Sequence, residues 1–390
     1  MKNIFFYIII VFLSFFIISF ILKSSKNKIN DNNDFDNYYV NFSPCGEVEF
    51  KGVPKKIVSG QETYNDILMS FNISNNIIGM TSKDKFYFNF YEDLNLQNYP
   101  NFQNLQQIGI GRNLYDKEIF YSINANIHHI DPVTLSMTKG WSESDIIEIS
   151  RNIGPFFGNR YSIENKKPQH IKDYKFYSLD EINLKFGEVY KQKSKAEKIN
   201  NFTNQLIDLI SSKLKNVNGK KIAIIYLCKK GIVPFDISSD GYGFSQYRTL
   251  KCIDSFKIAG IRTYSYEGNL GIMLDKESLL MANPDVIIIN EGIYIDNRYN
   301  FFSRRTILLQ NELEKWKNDP LLKDLTAFKN NQIILGGIYD QGPIARIYQL
   351  EMLAKQLYPE IFGKFNSNHK YPENEQLFSR KDLRDIILNE

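Results

Sequence analysis

Two of the four histidines in this 390-residue chain stand side by side, His128 and His129 in the stretch INANIHHIDP (123–132). Neighbouring imidazoles raise the possibility of a metal site. NIHHI reads as a strand, however, and successive strand residues point to opposite faces. The two rings are therefore placed on opposite sides of a sheet, each under a helix, where they cannot readily share an ion. Asp131 and Pro132 would then leave the sheet at its carboxyl edge. The other histidines are His170 and His369, and residues 216–362 contain none. A metal held by His and Asp/Glu from both halves of the chain thus lacks ligands. HExxH, GxSxG, GxGxxG and P-loop patterns are all missing, as are paired carboxylates with a partner base. No metal, cofactor or hydrolytic chemistry is expected. The formal net charge is only +4, without a basic stripe, so nucleic acid is not an expected partner. Cys45, Cys228 and Cys252 form no CxxC pair; a Cys228–Cys252 disulfide and free buried thiols both remain open.

Short apolar runs alternating with amphipathic stretches must position these residues. KKIVSG (55–60), IIGMT (77–81), QIGIG (107–111) and NIHHI (126–130) read as strands; TYNDILMSFNI (63–73) and DKEIFYSINA (116–125) read as helices between them. The pattern restarts with strands at 220–227, 261–266, 285–290 and 331–337, and with helices at 246–260, 275–282, 304–316 and 345–358. Repeated βα units imply mostly parallel sheets. Each half opens with KKI and later enters a helix through DKE, at 116–118 and 275–277, before an Asn-containing link and a strand. Two copies suggest two similar lobes. Between them, Ile199, Phe202, Leu206, Ile210 and Leu214 share one helix face. A helix over 188–215 would be ~42 Å long and would act as a strut.

Ile4 to Leu22 carries no charge over 19 residues, enough to span a bilayer core. It reads as an uncleaved signal-anchor, or else a cleaved signal peptide. Lys2 precedes it and Lys23, Lys26 and Lys28 follow it, a bias that by itself favours a cytoplasmic body. Residues 23–52 read as a flexible spacer.

Ligands of open parallel sheets sit beyond the carboxyl ends of the strands. That rule selects loops carrying Tyr64, Tyr87, Arg112 and Trp141 in the first half, and Tyr242, Tyr247, Arg248, Tyr339 and Arg346 in the second. Rings and guanidinium groups suit a large flat or chelated ligand. The glycines of SSDGYGFSQYRT (238–249) allow close backbone approach; the same stretch also reads as a turn followed by a Ser245 helix cap.

VPKKIVSGQETYNDILMSFNISNNIIGMTS (53–82), LLMANPDVIIINEG (279–292), WKNDPLLKDLTAFKNNQIILGG (316–337) and GPIARIYQLEMLAKQLYPEIF (342–362) occur in an order and spacing that resemble a known family. It comprises the substrate-binding proteins of ABC importers for iron-siderophores, haem and cobalamin, with a single long helix joining the lobes. Residues 83–106 and 136–178 are longer than its pattern. The resemblance covers 53–362. It implies an α/β fold of two Rossmann-like lobes with mostly parallel sheets, joined by one long α-helix. The expected divisions are an N-terminal lobe at 53–180, an interlobe helix at 181–215, a C-terminal lobe at 216–362 and a tail at 363–390. The implied function is non-enzymatic: capture of a ferric-siderophore, haem or corrinoid outside the membrane by a monomer, tethered through residues 4–22, and delivery to a permease and its ATPase. Glu92 and Asp93 are candidates for docking on the permease. A membrane-anchored sensor without transport and a chelatase-like enzyme are the alternatives.

Overall fold

The computed structural model describes residues 37–42, 46–81, 91, 93–96, 105–109, 115–132, 135, 140–158, 160–162, 174–228, 231–237, 245–263, 273–289, 314–335, 342–366 and 371–389. They fall into two units, 37–39 with 49–52 and 40–48 with 53–389. β1 (Tyr38–Phe42) and β2 (Gly46–Phe50) form a two-stranded sheet inside the stretch expected to be spacer. The reason is alternation: Val40 and Phe50 are buried while Tyr39 and Glu49 are exposed, the pattern of a half-buried strand. Asn- and Asp-rich flanks obscure it in the sequence.

The first lobe is built on β3 (Ile57–Ser59), α1 (Glu62–Ser70), β4 (Ile77–Met80), β5 (Gln106–Gln107), α2 (Lys117–Ile123) and β6 (Ile127–His129). Its sheet has the order β5-β4-β3-β6, and every pairing is parallel. Asp116 caps α2 by accepting from the Glu118 amide at 3.0 Å, and Asn124 ends it in the left-handed region at φ 48°, a conformation asparagine tolerates. Asn126 then ties the link back to the first strand: its Oδ1 accepts from the Lys55 and Lys56 amides at 3.1 and 3.0 Å. α3 (Glu143–Asn152) starts with a capping box between Ser142 and Asp145. β7 (Arg160–Ser162) and β8 (Tyr174–Phe176) pair antiparallel. Val58, Ile108, Phe120, Ile130, Ile149 and Phe156 form the core.

The strut differs from the expected single helix over 188–215. It is α4 (Leu179–Val189) followed by α5 (Lys193–Lys213). Lys191 sits at φ 53°, which breaks the helix. Asn183 Nδ2 donates to Asn200 Oδ1 at 2.9 Å and to Ala196 O at 3.2 Å, so the two helices lie side by side. Gly187 permits the approach: a Cβ there would stand 3.0 Å from Ala196 Cβ. The long element is α5, whose 21 residues extend about 32 Å.

The second lobe contains β9 (Lys221–Cys228), β10 (Gly231–Phe235), α6 (Ser245–Thr249), β11 (Ile253–Asp254), α7 (Ser255–Ile258), α8 (Lys276–Ala282), β12 (Val286–Ile289), α9 (Thr326–Lys329), β13 (Ile333–Leu335), α10 (Pro343–Leu357), α11 (Pro359–Phe362) and α12 (Arg380–Leu388). Its sheet runs β10-β9-β12-β13, with β11 also on β9. Among the described strands of this sheet only β10 is antiparallel, pairing with β9 as a hairpin not expected from the sequence. The helix expected over 246–260 is split by β11, because Lys251 turns the chain at φ 50° and Asp254 starts a new helix by capping the Phe256 and Lys257 amides. The four residues of β12 are all buried, as in a parallel strand covered on both faces. Cys252 is a free thiol, which removes the Cys228–Cys252 disulfide.

The repeat is structural as well as textual. Asp275 caps α8 by accepting from the Ser278 amide at 2.9 Å, Asn283 ends it at φ 33°, and Asp285 Oδ2 accepts from the Lys221 amide of β9 at 2.9 Å. Lys117 and Lys276, each the first residue of its DKE-entered helix, pair with Asp145 and Asp319, both at 2.6 Å. The expected tail at 363–390 is not a loose end. α12 packs on α5, where Lys195 Nζ donates to Ile387 O at 3.0 Å.

Candidate functional site

The carboxyl edge of the first sheet is closely knit. Gly60 N donates to His129 O at 2.9 Å, and Thr81 Oγ1 donates to Gly60 O at 2.7 Å. A Cβ on Gly60 would lie 2.5 Å from Ile130 Cγ1 and 3.1 Å from the Tyr115 hydroxyl. Gly158 abuts the backbone of Asp131 just as tightly. Residues 60, 81, 115, 130, 131 and 158 are thereby gathered at one place, where the general rule for open sheets puts the ligand.

α1 leaves this edge with an unusual polar content. Gln61, Thr63 and Asn65 are buried, and among the described residues their Oε1, Oγ1 and Oδ1 atoms have no hydrogen-bond partner. Such atoms are costly to bury unpaired. Thr63 and Asn65 escaped the sequence reading; the signal was a polar run, QETYND, inside a helix whose described residues are all buried.

The histidine pair behaves as strand geometry requires. His128 stacks on Phe156 at 4.6 Å and bonds through Nδ1 to Gly154 O at 3.0 Å. His129 stacks on Phe186 at 4.1 Å and bonds through Nε2 to the Tyr190 hydroxyl at 2.6 Å. The rings have different partners on different elements. Burial pushes the His128 pKa down to about 4 and that of His129 well below the usual histidine range, so both are neutral.

The ring candidates among the described residues are core groups. Tyr64, 0% exposed, stacks on Phe186 at 5.7 Å. Tyr247 is 1% exposed. Trp141, 7% exposed, meets Phe120 edge-on at 5.3 Å while its indole N–H donates to Tyr115 O at 3.0 Å. All three are packed within the protein interior. Arg346 pairs with Asp180 at 2.8 Å between α10 and α4. Asp93 accepts from the Tyr348 hydroxyl at 2.8 Å and from Arg380 Nε at 3.3 Å, which engages the carboxylate that docking would need. Arg248 is exposed at the second lobe, with Nη1 donating to Ile237 O at 3.3 Å. Tyr87, Glu92, Arg112, Tyr242 and Tyr339 lie outside the described residues. The structure thus brings Gln61, Thr63 and Tyr115 to the first edge and leaves Arg248 on the second lobe.

A family model described as periplasmic binding protein matches residues 132–337, more than half of the chain. A periplasmic binding protein from Veillonella parvula has a similar structure, with 18% identity and a TM-score of 0.55 over 82% of this chain and 97% of its own. The iron-uptake ABC transporter substrate-binding protein PiuA from Streptococcus pneumoniae is 17% identical, with a TM-score of 0.54 over 82% of this chain and 97% of its own. The petrobactin-binding protein YclQ from Bacillus subtilis is 13% identical, with a TM-score of 0.55 over 84% of this chain and 99% of its own. These likenesses concern the fold. No curated protein matches the chain.

Proposed function

Because the chain belongs to the periplasmic binding protein family, we propose that it captures a ferric-siderophore or similar large chelate, haem and corrinoid included, outside the membrane and hands it to an importer's permease and ATPase. The reading is carried by the architecture. Two sheets of mostly parallel strands, built from the same capped βα unit, are joined by α5. The lobes at 53–180 and 216–362 would hold the ligand between their strand carboxyl ends. Iron uptake and petrobactin binding in the structural relatives PiuA and YclQ support an iron chelate as cargo.

In this reading the cargo is met by Arg112 and the rings of Tyr87, Tyr242 and Tyr339, with exposed Arg248 from the second lobe. Gln61, the N-cap residue of α1, contributes a polar contact at the first. Planar guanidinium groups suit chelate oxygens, and aromatic faces suit flat ligand rings. No bond is made or broken. Glu92 is the better of the two docking candidates, because Asp93 is engaged internally. The body is extracytoplasmic and monomeric, tethered through residues 4–22 or freed by cleavage there. That segment lies outside the described residues, among which no helix is long and apolar enough to cross a membrane.

The test is titration of the purified protein with ferric siderophores, haem and cobalamin, read by quenching of tryptophan fluorescence. At least one is expected to bind below ~10 μM, about −7 kcal/mol. Failure of the whole panel at that level would remove the proposed ligand class.

A further inference from the structure

α10 belongs to the second lobe in sequence, yet its neighbours include α1, α4 and α5, alongside α6 and α11. Its N-terminus is held by a first-lobe carboxylate. Asp66 Oδ2, on α1, accepts from the Ile344 and Ala345 amides at 2.9 and 3.1 Å. Its Oδ1 accepts from the Tyr91 hydroxyl at 2.5 Å. Asp66 is fully buried, and Gly342 lies so close to it that no Cβ fits there. A negative group at a helix N-terminus satisfies orphan amides and complements the helix dipole. One turn on, Arg346 pairs with Asp180 of α4.

The middle of α10 is held from the other end of the chain. Arg380 Nη2 meets Glu351 Oε2 at 2.5 Å and its Nε meets Asp93 of the first lobe at 3.3 Å. The guanidinium lies over the rings of Phe378 and Tyr348, 3.9 and 4.9 Å from their centroids. Tyr348 donates to the same Asp93 at 2.8 Å. Glu351 is 0% exposed, and its other oxygen accepts from the Leu377 amide at 2.6 Å. Lys355, farther along, donates to Phe362 O and Glu375 O, both at 2.8 Å. α12 completes the loop by reaching α5 through Lys195. A buried ion pair with its hydrogen bonds satisfied is costly to break, because the surviving charge is left unpaired.

We infer that residues 371–388 are a clasp that locks α10 to the first lobe and the strut, so that α10 opens with α1 and α5 as one cooperative unit while β9 and β12 open separately. The unit boundary then falls inside what the sequence presents as the second lobe. Cooperative units of this kind are visible as groups of amides that share one opening free energy.

Hydrogen exchange of the full-length protein across a urea series tests the clasp and needs no ligand, so its outcome is independent of the proposed cargo. In the unsubstituted protein, α10, α1 and α5 amides are expected to merge into one exchange isotherm, distinct from that of β9 and β12. Glu351→Gln keeps the shape of the side chain but removes its charge. It is expected to speed exchange of α10 and α1 amides together by tenfold or more while changing β9 and β12 less than twofold. Asp66→Asn, acting on the opposite end of α10, should give the same grouping. An acceleration confined to α12, or one reaching β9 and β12 equally, would overturn the inference. So would α10 amides sharing the isotherm of β12 in the unsubstituted protein.

Discussion

His128 and Asp66 are both buried, and burial moves their proton affinities in opposite directions. His128 has a pKa of about 4 when folded against 6.5 ordinarily. The unfolded chain therefore binds more protons between these values, and this group's contribution to stability rises with pH across that window. The shift corresponds to about 3 kcal/mol. Replacing His128 with Phe should flatten the loss of stability between pH 6.5 and 4 in urea unfolding; an unchanged acid limb would show that the ring is not buried as described. Asp66 is shifted up from 3.8 to about 6 by burial, against the pull of its hydrogen bonds to Tyr91, Ala345 and Ile344. Here the folded state binds more protons between those values, so its contribution falls as pH rises. Asp66→Asn should abolish that dependence in the difference profile against the unsubstituted protein. At pH 7 it should also lose about 1–3 kcal/mol, because the amide brings donors to a site already full of donors. Both side chains stood in the sequence in plain view, but burial is a tertiary fact. Strand periodicity could separate the two histidines; nothing local marked Asp66 as the carboxylate that would reach α10.

The capped βα unit was readable from its residues. DKE followed by an Asn-containing link supplied an N-cap and a left-handed C-cap in both copies, and both copies fold that way. Asp116→Ala and Asp275→Ala should each cost about 1 kcal/mol, measured as a shift in the urea midpoint. A loss in one lobe only would mean that the caps are not equivalent. What stayed hidden were breaks that need no special residue. Lys191 and Lys251 adopt positive φ without a glycine to announce it, so one expected strut helix became a hairpin of helices and one expected second-lobe helix became two. Gly158 is a case where a glycine does carry information. A Cβ there would strike Asp131 backbone and not a movable side-chain tip. Gly158→Ala should destabilise by about 1–3 kcal/mol, and wild-type stability in that variant would contradict the tight edge.

At the scale of the whole chain, the family and its fold could be anticipated from four ordered segments, whereas the ligand contacts could not be chosen from composition. With 24 tyrosines and 29 phenylalanines, rings near strand ends serve the core as readily as a ligand. Tyr64, Trp141 and Tyr247 all do so. The long polar terminus looked like a tail because its anchor points, Asp93, Lys195 and Glu351, are far away in sequence. The central claim is that a ferric chelate is held between the carboxyl ends of the two sheets. Crystals grown with the tightest-binding ferric siderophore and measured at the iron absorption edge test it directly. The account predicts a single anomalous peak between the Gln61–Thr63 turn and Arg248, with protein contacts from both lobes. An iron peak contacting one lobe alone, or lying away from both strand edges, would contradict it.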